Sequence, residues 1–492
     1  MKIRAVVLFL AFLLPGVPWA QQAEPATPPW SGATAPTEQP RLEAGSAGPQ
    51  ALSLTLDDAV KLGLENSPQV KMAEANVDYA KGKLTSTGAN LWPKVTASAS
   101  YVRSNTLPTF TIGAPAMYPT SFPMGGPSGP PLAPDHLHLW GFPSFEMTSD
   151  RTGDIYIAKL EATYPIFTGF RVENGFKASR LQLDASKSDL AQQRENLVYQ
   201  IKQAFYSVLL TQEMVKVVDL SYKTMEDHYK QVLALYAEGY VSSLDVAQIE
   251  ARLSSIKPQQ IQAKNGLRMA KLGLATLVNV DPAQDIQMVG QLEYAEEELP
   301  SLDQAVKEAM NNRPELKTLS FRKDQTKALV RIAQGGFLPT IALFANYQWN
   351  QGQDMPPNDK VWRDGYQAGA SASIPIFDGF AAIGETQAAK AQYQQVIWGE
   401  QAFKAGIQAE VTSSYLQLLT SREQVDAEKV SVVAAQKNFD AAEKRYREGY
   451  VNQLDVLDAE TNLTAAQAGY LRAISAYLIA RAALDKATGK EV

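Results

Sequence analysis

Five short blocks of this chain occur twice, in the same order. Leu54–Val60 (LTLDDAV) returns as Pro300–Val306 (PSLDQAV), Asn66-Ser67-Pro68 as Asn312-Arg313-Pro314, and Leu91-Trp92-Pro93 as Phe337-Leu338-Pro339, each 246 residues later. Tyr164–Phe170 (YPIFTGF) returns as Ile374–Phe380 (IPIFDGF), and Tyr236–Val246 (YAEGYVSSLDV) as Tyr446–Val456 (YREGYVNQLDV), each 210 residues later. The difference of 36 is an insertion between Pro93 and Tyr164 of the first copy. A chain of 492 residues is thus two versions of one unit, and its fold must be buildable twice.

The unit contains one very long helix. Gly169 to Gly239 and Gly379 to Gly449 each span 70 residues, roughly 100 Å at ~1.5 Å per residue. Leu197, Ile201, Ala204, Val208, Thr211, Val215, Val218, Tyr222, Met225, Tyr229, Val232 and Tyr236 follow a 4-3 spacing, the seam of a coiled coil. The second copy keeps the spacing less strictly, with Ser414, Ser421 and Glu428 in the seam. A returning helix of about 40 residues and two shorter opening helices together match the long helix in length. Thr55 with Asp58, and Ser301 with Gln304, read as caps of the opening helices.

Each glycine turn reads as a helix end followed by a helix start. Gly239 and Gly449 supply the left-handed residue. Ser242 with Asp245, and Asn452 with Asp455, have the spacing of capping boxes. Asp458 lies one turn deeper on the face of Asp455, and its first-copy counterpart is Gln248. Helix capping accounts for Asp455; it does not account for Asp458.

Between the opening helices and the long helix, each unit has two segments of alternating polarity. These lie at about 94–103 and 154–164, then at about 340–350 and 366–374. Val95, Ala97, Ala99 and Tyr101 oppose Thr96, Ser98 and Ser100, and the other three segments alternate in the same way. Apolar faces with Tyr or Trp near their ends are the pattern of a membrane barrel. Four strands cannot close a barrel that needs ~8, and open edges are not tolerated in lipid, so the expectation is association with further copies.

Composition removes other classes. The net charge is -6 with 20% charged residues, which gives no basic surplus for nucleic acid. With no cysteine, disulfides and thiolate metal sites are excluded. Lys2 and Arg4 before the apolar run Ala5–Leu14 read as a signal peptide over 1–20, and the Ala/Pro/Gln-rich 21–52 as a disordered linker. The first repeat is then 53–299 and the second 300–489. No phosphate loop or Ser/His/Asp constellation appears. His136 and His138 in the Pro-rich loop 104–153 have no carboxylate cluster nearby, and His228 reads as one polar helical position. No enzyme activity, cofactor or metal is expected.

From Ser53 to Gly489 this ensemble resembles the TolC-type outer-membrane efflux proteins. The duplication, the strand–loop–strand inserts, the [YI]PIFxGF junctions and the paired glycine turns carry the resemblance together. It implies a mainly α fold with a transmembrane β-barrel contribution: a long-helix periplasmic barrel plus four strands per chain, trimerising into a twelve-strand outer-membrane barrel in the lipid. It implies an efflux duct that meets a periplasmic adaptor (a membrane fusion protein) and an inner-membrane transporter. Asp455 and Asp458 match a ring at the pore constriction, and Asp245 and Tyr446 an entrance latch. Gly239, Tyr240, Val241, Gly449, Tyr450 and Val451 match the adaptor-contacting tip. Val451 stands where some relatives have a latching arginine. The same architecture serves type I protein secretion, and a non-channel coiled-coil structural protein is the remaining alternative.

Overall fold

The computed structural model describes residues 52–104, 110–112, 145–147, 153–352 and 360–490, apart from 283, 285 and 297. The signal peptide, nearly all of the linker and most of the loop 104–153, with His136 and His138, lie outside the described residues.

In chain order the first repeat is β1 (Leu52–Leu54), α1 (Leu56–Asn66), α2 (Pro68–Gly88), β2 (Lys94–Ser104), β3 (Phe110–Ile112), β4 (Phe145–Met147), β5 (Gly153–Phe167), α3 (Arg171–Ala237) and α4 (Ser243–Val278). After β6 (Ile286–Met288), the second is α5 (Leu302–Asn312), α6 (Pro314–Gln334), β7 (Thr340–Gln351), β8 (Arg363–Ser373), α7 (Ala381–Arg447) and α8 (Gln453–Thr488). Corresponding helices have equal lengths: 11 residues for α1 and α5, 21 for α2 and α6, 67 for α3 and α7, and 36 for α4 and α8.

Local chemistry sets these ends. Thr55 and Asp58 form a reciprocal capping box, and Ser301 Oγ accepts the Gln304 N–H. Pro68 and Pro314 occupy the first turn, where a missing N–H costs nothing. In the PIFxGF junctions, Gly169 (φ 64°) and Phe170 (φ 62°), like Gly379 (φ 67°) and Phe380 (φ 69°), turn the chain left-handedly from strand into long helix. Thr168 Oγ1 and Asp378 Oδ2 then accept the N–H groups of Val172 and Ala382, at 3.2 and 2.8 Å. The variable residue of this motif is therefore its cap.

The four long strands form one antiparallel sheet in the order β2-β5-β7-β8. Its register lines up Ala97, Leu160 and Tyr347 with Tyr366, and Ala99, Ala158 and Trp349 with Asp364. The apolar sides of all four segments thus share one face. The other face brings together Thr96, Glu161, Asn346 and Gln367. Within the chain, β2 and β8 are both open edges. No helix among the described residues is long and apolar enough to cross a membrane.

Two cores hold the helices together. One gathers Leu197, Ile201, Val208, Leu274, Leu418 and Tyr477 from both repeats; the other gathers Met225, Val232, Ile249, Ile256, Phe439 and Val456 near the glycine turns. The expected α3 seam is buried at Leu197, Ile201, Val208, Met225 and Val232. Phe205, Leu209, Ser221 and His228 are buried off that seam, because α3 touches α2, α4, α6 and α8 on several sides and not along one stripe. Leu52, read from the sequence as linker, lies in β1, which pairs in parallel with β6 (Leu52↔Ile286). Leu54 there is fully buried with Ala275 and Ile286, which anchors the start of the first repeat on the end of α4.

Candidate functional site

The two glycine turns end adjacent hairpins. Gly239 (φ 82°) and Gly449 (φ 77°) have open space where a Cβ would be, so backbone conformation alone requires them. The N–H groups of Tyr240 and Tyr450 bond back to the carbonyls of Leu235 and Arg445, both at 2.9 Å. Their side chains project outward with Leu244 and Leu454, while Val241 and Val451 are half-buried. The turns thus present an apolar, aromatic tip.

Ser242 and Asp245 form the expected capping box: Asp245 Oδ2 accepts the Ser242 N–H (2.9 Å) and hydroxyl (2.7 Å). Asn452 and Asp455 repeat it at the start of α8, with bonds of 3.2 and 3.0 Å. Asp455 and Asp458 are both exposed, one turn apart on the same face. Among the described residues Asp458 has no structural partner, so its carboxylate is left to solvent.

Asp245 and Tyr446, expected from the resemblance as a latch, are not hydrogen-bonded to each other. The Tyr446 hydroxyl is buried without a hydrogen-bond partner among the described residues. Burial pushes its pKa up, and the charge of Asp245 adds to this. The Tyr446 ring packs edge-on against His228, 5.2 Å between centroids. His228 is itself buried, and its Nε2 likewise has no partner among the described residues. Its position, read from the sequence as merely polar, is covered by α7. The actual tie between the two turns is Gln453, a fully buried side chain whose Nε2 donates to the Asp245 carbonyl at 3.0 Å.

Two turns further along α8 lies a buried ionic node. Glu460, with its side chain 3% exposed, accepts from Arg252 Nη2 at 2.8 Å, from Thr464 Oγ1 at 2.9 Å and from Ser221 Oγ. It joins α3 and α4 of the first repeat to α8 of the second. A carboxylate so buried is tolerated because a guanidinium and two hydroxyls replace its water. Sequence reasoning missed this node: Glu460 and Arg252 are 208 residues apart, and neither belongs to a local motif.

No group of three or more His, Cys, Asp or Glu among the described residues is placed to hold a metal ion. The arrangement is therefore one of exposed carboxylates beside a tip, on hairpins fastened to each other. The profile of the outer membrane efflux protein family matches residues 59–280 and 305–490. The chain belongs to the outer membrane efflux protein family. Outer membrane efflux protein BepC of Brucella suis biovar 1 is 26% identical over 341 residues, 67% of this chain and 71% of that protein. The pyoverdine export outer membrane protein OpmQ of Pseudomonas aeruginosa is 24% identical over 470 residues, 93% of this chain and 92% of that one. The outer membrane protein VceC of Vibrio cholerae shares the fold, with a TM-score of 0.68 over 88% of this chain and 96% of that one, at 18% identity. As a member of the efflux protein family, the chain is an outer-membrane channel and not an enzyme.

Proposed function

We propose that three copies of this chain form one duct, the exit limb of a tripartite export machine. The observation that carries this is the unfinished sheet. With β2 and β8 both unpaired, four strands with a bare apolar face cannot stand in lipid alone; pairing β8 of one copy with β2 of the next removes every edge, and three copies give twelve strands. The long helix of the second repeat agrees with this. Trp398, Leu416 and Val430 are 66%, 54% and 70% exposed, an apolar surface that a neighbouring copy would cover.

In this reading the sheet sits in the outer membrane and the helices hang into the periplasm. The tip residues Gly239, Tyr240, Val241, Gly449, Tyr450 and Val451 meet a periplasmic adaptor, which couples the duct to an inner-membrane transporter. Asp455 and Asp458 from three copies place six carboxylates around the entrance, and such a ring favours cations. Asp245 and Tyr446 act in holding that entrance, Asp245 through its cap and its carbonyl, Tyr446 through packing on His228.

Conductance of the purified protein in a planar bilayer tests this, with Asp455→Asn/Asp458→Asn beside it. The expected wild type is a small cation-selective channel that multivalent cations block from the tip side, and the double variant loses selectivity and block together. A variant indistinguishable from a conducting wild type would confine these aspartates to helix capping. Folded oligomers of both that never conduct would sink the open-duct reading.

A further inference from the structure

The four long strands carry seven charged residues, and the register sorts them by face. Residues opposite each other in an antiparallel pair share a face. Arg103, Asp154 and Asp364 lie on the apolar face, with Arg103 opposite Asp154 and Asp364 opposite Trp349. Lys94, Lys159, Glu161 and Arg363 lie on the polar face. There Lys94 stands opposite Thr163, Lys159 opposite Ser98 and Gln348, and Arg363 opposite Asn350.

The acids are accounted for one by one. Tyr101 Oη donates to Asp154 Oδ1 at 2.8 Å, and Tyr347 donates to Asp364. These hydroxyls satisfy two carboxylates at the end of an apolar face, where an unpartnered one would be costly. The third acid, Glu161, is held by Lys159 at 2.7 Å on the polar face. That face therefore has three cations and one carboxylate, a net of two positive charges per chain. Lys94 is exposed, and its row, through Thr163 and Phe344 to Gly369, contains no carboxylate. From Lys94 to the row of Arg363 is six residues along β2, about 20 Å at ~3.4 Å per residue. At the far end of the long helices the sign is opposite: Asp455 and Asp458 are exposed there.

We propose that the polar face of this sheet is an anion-binding surface, which takes small molecules bearing carboxylate or phosphate groups. The proposal rests on the oligomeric duct above, which turns this face to the lumen. It adds that the duct changes sign along its length, with carboxylates at the tip and cations in the barrel. Three copies bring six net positive charges to one lumen, and Arg and Lys lining a pore favour anions and phosphates. In dilute salt, where the screening length is about 30 Å at 0.01 M, the fields of cations so spaced overlap. Ser98 and Gln348 beside Lys159 add neutral donors for the same oxygens. The barrel cations hold anions in a wide lumen, while the ring at the tip sets which ions pass the throat.

Planar-bilayer conductance in dilute salt, with inorganic tripolyphosphate added on the barrel side, tests this. The wild type is expected to be blocked. Lys94→Gln/Lys159→Gln/Glu161→Gln/Arg363→Gln makes the face neutral without stranding Glu161, and is expected to need at least about tenfold more tripolyphosphate. Glu161→Gln alone removes the one counter-charge and is expected to need less. Arg103→Gln removes a cation from the opposite face and is expected to change nothing. A conducting wild type that tripolyphosphate leaves untouched overturns the proposal. So does block that persists unchanged in the neutral variant, or that Arg103→Gln abolishes. If the neutral variant does not assemble, Glu161→Gln decides: block that is unchanged or weaker there overturns the proposal. Folded oligomers that never conduct sink the duct, a separate failure. Titration calorimetry of tripolyphosphate into the detergent-solubilised oligomer reads the anion site without any current, and no binding there overturns the site whether or not the duct conducts.

Discussion

At the joint between its two short helices the first repeat has Ser67 and Gln69, with Gln200 as the corresponding residue on the long helix; the second has Arg313, Glu315 and Glu410. Arg313 is buried there and binds Glu315 at 3.1 Å and Glu410 on α7. The strand–helix junctions differ too. Gly169 and Gly335 cross so tightly that a Cβ on Gly335 would be 2.5 Å from the Gly169 oxygen. Their counterparts are Gly379, with nothing nearby, and Ala89, whose methyl could not enter such a crossing. What the repeats share is backbone: helix lengths, caps, left-handed turns. What they do not share is the side chains facing other helices, because those neighbours differ. The α3 helix has 14 buried residues and α7 only 8, since α3 is enclosed by both repeats while one flank of α7 faces outward.

The sharpest test of this division is Arg313→Ala beside Ser67→Ala. Removing the arginine strands Glu315, whose side chain is 11% exposed, without its counter-charge. Breaking a buried pair from one side costs about 3 kcal/mol. Ser67 is buried but caps no helix through its side chain, and its loss is expected to cost about 1 kcal/mol. Thermal unfolding in detergent checks both. Equal shifts in Tm would mean that the two joints are energetically alike and the comparison fails.

The shared features were legible in the sequence because they are local. A capping box spans four residues, a heptad seven, and a glycine turn five, so each could be read twice and compared. The strands were legible as well, since alternation survives even where the membrane face is only Ala, Leu and Tyr. The unshared features depend on register between segments hundreds of residues apart. Nothing near Glu460 says that Arg252 lies opposite, and nothing near His228 says that Tyr446 covers it. The pair β1 and β6 has three residues on each side, too few for a periodicity. Phe170 and Phe380 were missed for another reason: an aromatic residue with positive φ contradicts local preference, and the tight junction imposes it. At the tip the two capping boxes were legible, but the tie made by Gln453 was not, since its counterpart Ser243 makes no such bond.

A shared device predicts equal effects. Ser242→Ala and Asn452→Ala each remove one half of a capping box at a hairpin tip. Each is expected to cost about 1 kcal/mol of first-turn stability. Hydrogen exchange at the first turns of α4 and α8 measures this as roughly fivefold faster exchange in each variant, by RT ln of that ratio. A much larger effect at Asn452 would show that the caps, like the charged joints, have diverged, with Gln453 adding to the second.

The smallest effect is confined to one residue that the other repeat lacks. His228 corresponds to Asn438, and burial pushes the His228 pKa below its ordinary value of 6.5, an effect that Glu443 opposes and Arg447 reinforces. The neutral imidazole is the form that fits against Tyr446. In the unfolded or opened tip the ring takes up a proton near 6.5, while in the packed tip it does so only at lower pH. Between those two values the open form binds more protons, so packing stability falls as pH drops through and below 6.5, and levels off once both forms are protonated. Hydrogen exchange over the end of α7 is therefore expected to quicken from pH 7 toward pH 5, after correction for intrinsic rates. In His228→Asn, which copies the second repeat, that pH dependence should vanish while the caps at Ser242 and Asn452 behave as before. If the slope survives the substitution, the proton is taken up elsewhere in the tip, and the packing of His228 on Tyr446 has no part in how firmly the two hairpin ends are held together.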